Sequence, residues 1–104
     1  MYGFEKWRDV LNLAPDEKTV RAVMRDYVQA IDPKLLELMP SECRKVLDPA
    51  IDLQTAATAL LHCELTFRGS GEIAELLHEA AHTFAAASVR LSWLRTKPLL
   101  PVRP

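Results

Sequence analysis

The 104-residue chain has few of the residues on which stapled or irregular folds depend: two cysteines, three glycines and 7% aromatic residues. Two cysteines are too few for a small disulfide scaffold, and three glycines provide no glycine-rich phosphate loop. No strand-like alternation of polar and apolar residues is present. The longest uncharged stretches, 53–63 and 80–89, are far shorter than the roughly 20 residues of a membrane-spanning helix. These absences favour a small all-α protein that does not enter a membrane.

The charge of the chain is nearly balanced, with 13 Lys and Arg against 14 Asp and Glu and a net charge of −1. Net charge therefore gives no reason to expect binding to nucleic acid or to an anionic membrane. The first residues mix charged with apolar side chains and lack the apolar core of a signal peptide. We therefore expect a cytoplasmic protein in which Cys43 and Cys63 are reduced and buried, not joined in a disulfide.

Helical periodicity dominates the first half of the chain. Apolar residues at this spacing predict a short helix that ends before Ala14-Pro15. An amphipathic helix is predicted from Pro15 to Ile31, with Asp16 and Glu17 favourable at its start. Asp32-Pro33 and Pro40-Ser41 then each begin a helix of one or two turns.

Two longer helices are predicted in the second half. Asp48-Pro49 has the form of a helix start, and nothing interrupts the pattern until Gly69, so we expect a helix of about 20 residues. The turn Gly69-Ser70-Gly71 reverses the chain, with Ser70 as the next N-cap, and 72–95 forms one long helix. The expected fold is an all-α small helical bundle built on this C-terminal antiparallel helix hairpin, with the short N-terminal helices packed on it. Residues 1–97 form one domain and 98–104 an extended Pro-rich tail.

The last helix is apolar on more than one side. Small and apolar residues continue around the flank opposite its main apolar stripe, so either the N-terminal helices or a second copy of the chain must cover that flank. We expect a homodimer, because twofold pairing is the commonest assembly. Pro98-x-x-Pro101 in the tail also fits the grooves of SH3-type partner proteins. The predicted interface residues, including two from the tail, are Ala85, Ala86, Val89, Trp93, Leu99 and Leu100.

The segment His78-Glu79-Ala80-Ala81-His82 has the pattern H-E-x-x-H, which places two histidines on one side of a helix where they can share a zinc ion. It resembles the zinc-binding helix of the zincin metallopeptidases. That resemblance implies His78 and His82 as zinc ligands and Glu79 as the general base. Zincins take a third ligand from beyond the motif and align substrate along an edge strand. No Asp, Glu, His or Cys follows His82 and no strand is predicted, so we do not expect peptidase activity.

The same helix carries a second metal-binding pattern. Glu75-x-x-His78 and Glu79-x-x-His82 have the spacing found in helical di-iron carboxylate sites, which also use glutamates from facing helices. Glu64 falls in the apolar stripe of the preceding helix, where a carboxylate needs an arginine, a metal ion, a backbone donor or another chain as its partner. Without a metal, His78 and His82 would border the polar face and bond to Glu75 or Glu79.

These patterns leave three hypotheses. The first is a non-enzymatic, self-associating protein-interaction module with no cofactor and no catalytic residues. The second is a protein that binds zinc or iron through Glu64, Glu75, His78, Glu79 and His82. The third is nucleic-acid binding by the basic C-terminal quarter, against which the balanced net charge argues. The residues of that basic quarter are Arg90, Arg95, Lys97 and Arg103.

Overall fold

The computed structural model describes residues 3–47, 52–69 and 71–96, and all regular structure in these ranges is helical. The all-α prediction is confirmed. The predicted tail 98–104, with Leu99 and Leu100, lies outside these ranges. The helices in chain order are α1 Gly3–Leu13, α2 Glu17–Ala30, α3 Pro33–Leu38, α4 Ser41–Lys45, α5 Leu53–Thr66 and α6 Glu72–Thr96. None of these helices combines the length and apolarity that crossing a membrane requires.

Aspartate side chains cap the starts of α2 and α5. Asp16 accepts a hydrogen bond from the backbone N–H of Thr19 at 2.7 Å, and Asp52 accepts one from that of Thr55 at 3.0 Å. Hydrogen bonds to the threonines lower the pKa of both carboxyl groups below the usual range. The predicted start of α5 was therefore wrong. Asp48-Pro49 lies outside the described residues, and α5 has 14 residues, not about 20, because Asp52 supplies its cap.

A short turn joins α5 to α6. Gly69 and Gly71 have φ angles of +89° and +65°, which side chains with a Cβ adopt at a cost. The predicted glycine reversal is thus confirmed, while Ser70, the predicted N-cap, is not described. The long helix α6 packs on α5 after the turn. The buried residues of α6 that build this core are Leu76, Leu77, Ala80, Ala81, Thr83, Phe84, Ala87 and Leu91.

The N-terminal helices α1 and α2 also pack on α6. Tyr27 of α2 lies between two rings, edge-on to Trp7 of α1 at 5.5 Å and to Phe84 of α6 at 6.2 Å between centroids. Edge-on aromatic pairs stabilise a fold beyond the area that they bury. This aromatic row therefore ties three helices together.

Two of the four basic residues in the C-terminal quarter make contacts within the chain. The guanidinium of Arg90 donates two hydrogen bonds to the carbonyl of Ala14, at 2.9 Å and 2.6 Å. Arg95 forms an ion pair with Glu17, 3.2 Å between Nη2 and Oε2. Both arginines thus hold the α1–α2 region against α6. The other two, Lys97 and Arg103, lie outside the described residues.

Cys43 of α4 and Cys63 of α5 form a disulfide, with Cα atoms 6.6 Å apart. The prediction of two reduced cysteines was therefore wrong. It depended on the expected compartment, whereas a disulfide also depends on proximity in the fold, and α4 packs on α5. The bond also removes the argument that linked these cysteines to a cytoplasmic location, because disulfides persist mainly in oxidising compartments.

Reduction of this disulfide should destabilise the protein. Closing a loop of 20 residues restricts the unfolded chain, so we expect reduction to lower the free energy of unfolding by about 3 kcal/mol. Urea unfolding with and without dithiothreitol measures this change. The double variant Cys43→Ser/Cys63→Ser is the control, since its stability should not respond to dithiothreitol. Free thiols in the unreduced native protein would contradict the assignment.

Burial of the Tyr27 phenol should make the stability of the protein depend on pH. Tyr27 is 2% exposed, and its hydroxyl lies near the side chain of Thr83 but makes no hydrogen bond of good geometry in the described ranges. Burial raises the pKa of this phenol above its ordinary value. Because the unfolded chain then ionises first, stability should be complete below pH 10 and fall above it, by at most about 1.4 kcal/mol per pH unit.

Urea unfolding of the wild type and of Tyr27→Phe between pH 7 and 11 tests both effects. The variant should equal or exceed the wild type in stability at pH 7, because the hydroxyl makes no hydrogen bond of good geometry, and should decline less above pH 10. A variant less stable by more than about 1 kcal/mol at pH 7 would contradict the unpartnered hydroxyl.

Candidate metal centre

Glu64, His78 and His82 form a cluster on one side of the α5–α6 pair. The two histidine rings lie side by side on successive turns of α6, with centroids 4.3 Å apart. Oε2 of Glu64 is 2.5 Å from Nδ1 of His78. Each residue offers one ligand atom, and the three atoms lie within 4.8 Å of one another. The structure thus brings together three of the five predicted metal ligands.

Helix periodicity and the short turn explain this arrangement. Residues four apart lie on the same face of a helix, which aligns the rings of His78 and His82. Glu64 lies near the end of α5, and its side chain is only 23% exposed. A carboxylate that is largely removed from water requires a polar partner, as its place in the apolar stripe predicts. His78 is that partner.

The three ligand atoms need only small shifts to hold an ion. Zinc binds imidazole nitrogen and carboxylate oxygen at about 2.0–2.2 Å, so tetrahedral ligand atoms lie about 3.3 Å from one another. The carboxylate–imidazole pair, at 2.5 Å, would open slightly, and separations of up to 4.8 Å would close. The side chain of His78, which is 47% exposed, has room on its outer side for such a movement.

The structure does not bring the two other predicted ligands, Glu75 and Glu79, into the cluster. Glu75 is exposed on α6, and Glu79 is half-buried. Glu79 lies close enough to Tyr27 for its charge to contribute, after burial, to the raised pKa of that phenol. Their helical spacing from the histidines is as the sequence indicates, but their side chains do not converge with that of Glu64 among the described residues, and their role as ligands stays a prediction.

His62, the remaining histidine, lies elsewhere. It is exposed on α5 and lines an open cleft beside the disulfide with Glu42, Thr58 and Cys63. His62 thus faces away from the buried stripe of α5. His62 therefore provides a natural reference for the histidines of the cluster.

The predicted interface residues on α6 differ in exposure. Ala85 and Ala86 are half-buried and pack against the core, whereas Val89 is 69% and Trp93 44% exposed. The guanidinium of Arg90 lies over the Trp93 ring, 4.5 Å from its centroid. Fold contacts thus cover part of the second apolar side of α6, and part stays exposed.

Two exposed leucines on α5 were not identified from the sequence. Leu61 is 40% and Leu65 61% exposed, and they flank Glu64 three residues before and one residue after it. Their helical positions, about 60–100° from that of Glu64, could have indicated that apolar groups accompany this carboxylate to the surface.

Comparisons of this chain with protein-family models, with curated proteins and with solved structures find no significant match.

Proposed function

We propose that this protein binds a divalent transition-metal ion, zinc or ferrous iron, through Glu64, His78 and His82. The observation that carries the proposal is the convergence of three ligand atoms, from two helices, within 4.8 Å of one another. The site joins residues 14 and 18 positions apart in the chain, so it depends on the tertiary fold and not on one helix alone.

The donor types support an ion of this class. Two imidazole nitrogens and one carboxylate oxygen form the protein ligand set of several catalytic zinc sites and of non-haem iron(II) sites. Magnesium and calcium prefer oxygen ligands only. We therefore expect zinc, cobalt(II) or iron(II) to bind, and magnesium and calcium to bind much more weakly.

The surroundings of the cluster support binding and not peptide hydrolysis. In the zincin pattern the residue after the first histidine activates the metal-bound water, but Glu79 lies near Tyr27 and outside the cluster. The described residues also contain no strand that could align a peptide. A non-enzymatic role fits this arrangement best.

Metal binding can be tested with untagged full-length protein. Cobalt(II) should give visible absorption bands that zinc displaces, at about one ion per chain, and His78→Ala or His82→Ala should weaken binding by at least 10–100-fold, about the loss seen on removing outer-shell partners of metal ligands. Isothermal titration calorimetry with zinc provides the affinities.

Two matched variants serve as controls for this experiment. His62→Ala removes an exposed histidine outside the cluster, and Glu79→Gln removes the glutamate of the H-E-x-x-H pattern. Both should bind zinc as the wild type does. Equal loss in His62→Ala, or no saturable binding by the wild type, would refute the site.

A second candidate function, self-association, is favoured by the exposed side chains of Val89 and Trp93 on α6. The charges along this helix favour a second copy as the partner. Its first turn contains Glu72 and Glu75, whereas its last turn contains Arg95. An antiparallel pair of such helices that overlap along their full length brings acidic ends next to basic ends, which suits a twofold interface.

Replacing one exposed residue should weaken this association. Val89→Asp places a charge in the proposed interface, so we expect a lower average mass than that of the wild type in light scattering at high micromolar concentration, in whichever condition, with zinc or after chelation, the wild type associates. Leu38→Asp is the matched control, because Leu38 on α3 is equally exposed, at 69%. A wild-type mass of a single chain under all of these conditions would contradict self-association.

A further inference from the structure

The proposed metal site has fewer protein ligands than a closed site. Closed structural zinc sites are tetrahedral with four protein ligands, and residues 3–47, 52–69 and 71–96 supply three. The exposed side chain of His78 shows that the cluster opens outward, away from the core. Any fourth ligand therefore approaches from outside the α5–α6 pair.

The surface around this opening is partly apolar. Leu61 and Leu65 of α5 are exposed beside Glu64. On α6, Val89 follows His82 by seven residues, which is two turns along the same face, and it is 69% exposed. Exposed apolar side chains thus border the cluster along α5 and α6. Such a surface is suited to packing against another pair of helices.

An unused carboxylate lies on the same face of α6. Glu75 precedes His78 by three residues and His82 by seven, which places it near them on the helix surface. Within one chain it is exposed and does not join the cluster. If two copies of α6 cross antiparallel about a twofold axis near residues 78 and 79, Glu75 of the partner subunit comes level with His82.

We propose that a second copy of this chain covers the Glu64–His78–His82 cluster and that Glu75 of the partner subunit supplies the fourth metal ligand. This inference rests on the proposed metal-binding function. The twofold axis generates two equivalent sites, so the dimer holds two ions, each with two imidazoles and two carboxylates.

The charges of the carboxylates in this interface couple dimer formation to metal binding. Pairing these faces without metal places two copies of Glu64 and of Glu75 near one another, and like charges repel. A divalent cation in each site offsets the charge of its two carboxylates. The dimer should therefore form with zinc and separate when the ion is removed.

Zinc titration of the full chain, followed by light scattering, tests this coupling. We expect the mass to double as about one ion binds per chain, and to return to that of one chain with excess chelator; magnesium should have no effect. Glu75→Gln should lower the zinc affinity by about tenfold or more and reduce dimer formation. Glu37→Gln, which alters an exposed glutamate on α3 outside the proposed interface, should behave as the wild type.

Mixing two defective variants tests whether Glu75 binds the metal ion of the partner subunit or the ion of its own chain. His78→Ala/His82→Ala lacks the histidines, and Glu75→Gln lacks the carboxylate. In a mixed dimer, the histidines of the second variant meet the intact Glu75 of the first, which restores about one site per dimer. If Glu75 instead binds the ion of its own chain, mixing the two variants should restore no zinc binding.

Each outcome is decisive. Zinc binding by a protein that stays a single chain, or failure of the mixture to regain binding, would overturn this inference and leave the proposed metal site intact. A dimer whose mass is the same with zinc and with chelator would overturn the coupling. No saturable zinc binding at all would overturn both the inference and the proposed function.

Discussion

The packing of α5 against α6 is the interaction on which the rest of the structure depends. Their connection is short and passes through positive φ angles at Gly69 and Gly71, so the helices fold back on each other in one register. That register places Glu64, near the end of α5, beside His78, near the start of α6. A shift of α5 by one residue would rotate Glu64 by about 100° and separate it from the histidines, although both helices would persist.

The same register satisfies Glu64 whether or not an ion is bound. Burial of an unpaired carboxylate costs several kcal/mol, and the contact with His78 offsets this cost. A cation would take the place of that contact with the same two side chains as ligands. The fold itself is held elsewhere, by the aromatic row through Tyr27, by the contact of Arg90 with Ala14 and by the disulfide. The contacts that hold the fold therefore do not depend on an ion at the Glu64–His78–His82 cluster.

Local signals in the sequence predicted the helices and the turn, because periodicity, caps and glycines act within a few residues. The predicted start of α5 was wrong because Asp48 and Asp52 both have the sequence context of an N-cap. Only the structure shows that Asp52 accepts a hydrogen bond from the backbone N–H of Thr55. The disulfide was missed because it depends on the packing of α4 on α5. Both errors concern information that is not local.

The candidate site likewise depends partly on local sequence signals and partly on the packing of distant residues. Periodicity placed Glu64 in an apolar stripe and so predicted its need for a partner, but the partner, His78, is 14 residues away and depends on the helix register. Glu75 has the sequence spacing from the histidines that a shared ligand set requires, yet this spacing does not bring its side chain into the cluster within one chain. The sequence could therefore predict the candidate ligands, and the fold selected three of them.

In the H-E-x-x-H segment, the helix face on which each residue lies determines which side chains converge, and the sequence pattern alone does not. Glu79 is one position from His78, which rotates it by about 100° around α6, and it lies near the buried Tyr27 of α2. A zincin requires an open cleft next to its glutamate, whereas here the side of α6 that carries Glu79 packs in the fold. The carboxylate that meets the histidines comes instead from the preceding helix. The two histidines of the pattern are thus combined with an acid from the preceding helix, 14 residues before His78, and not with the glutamate between them.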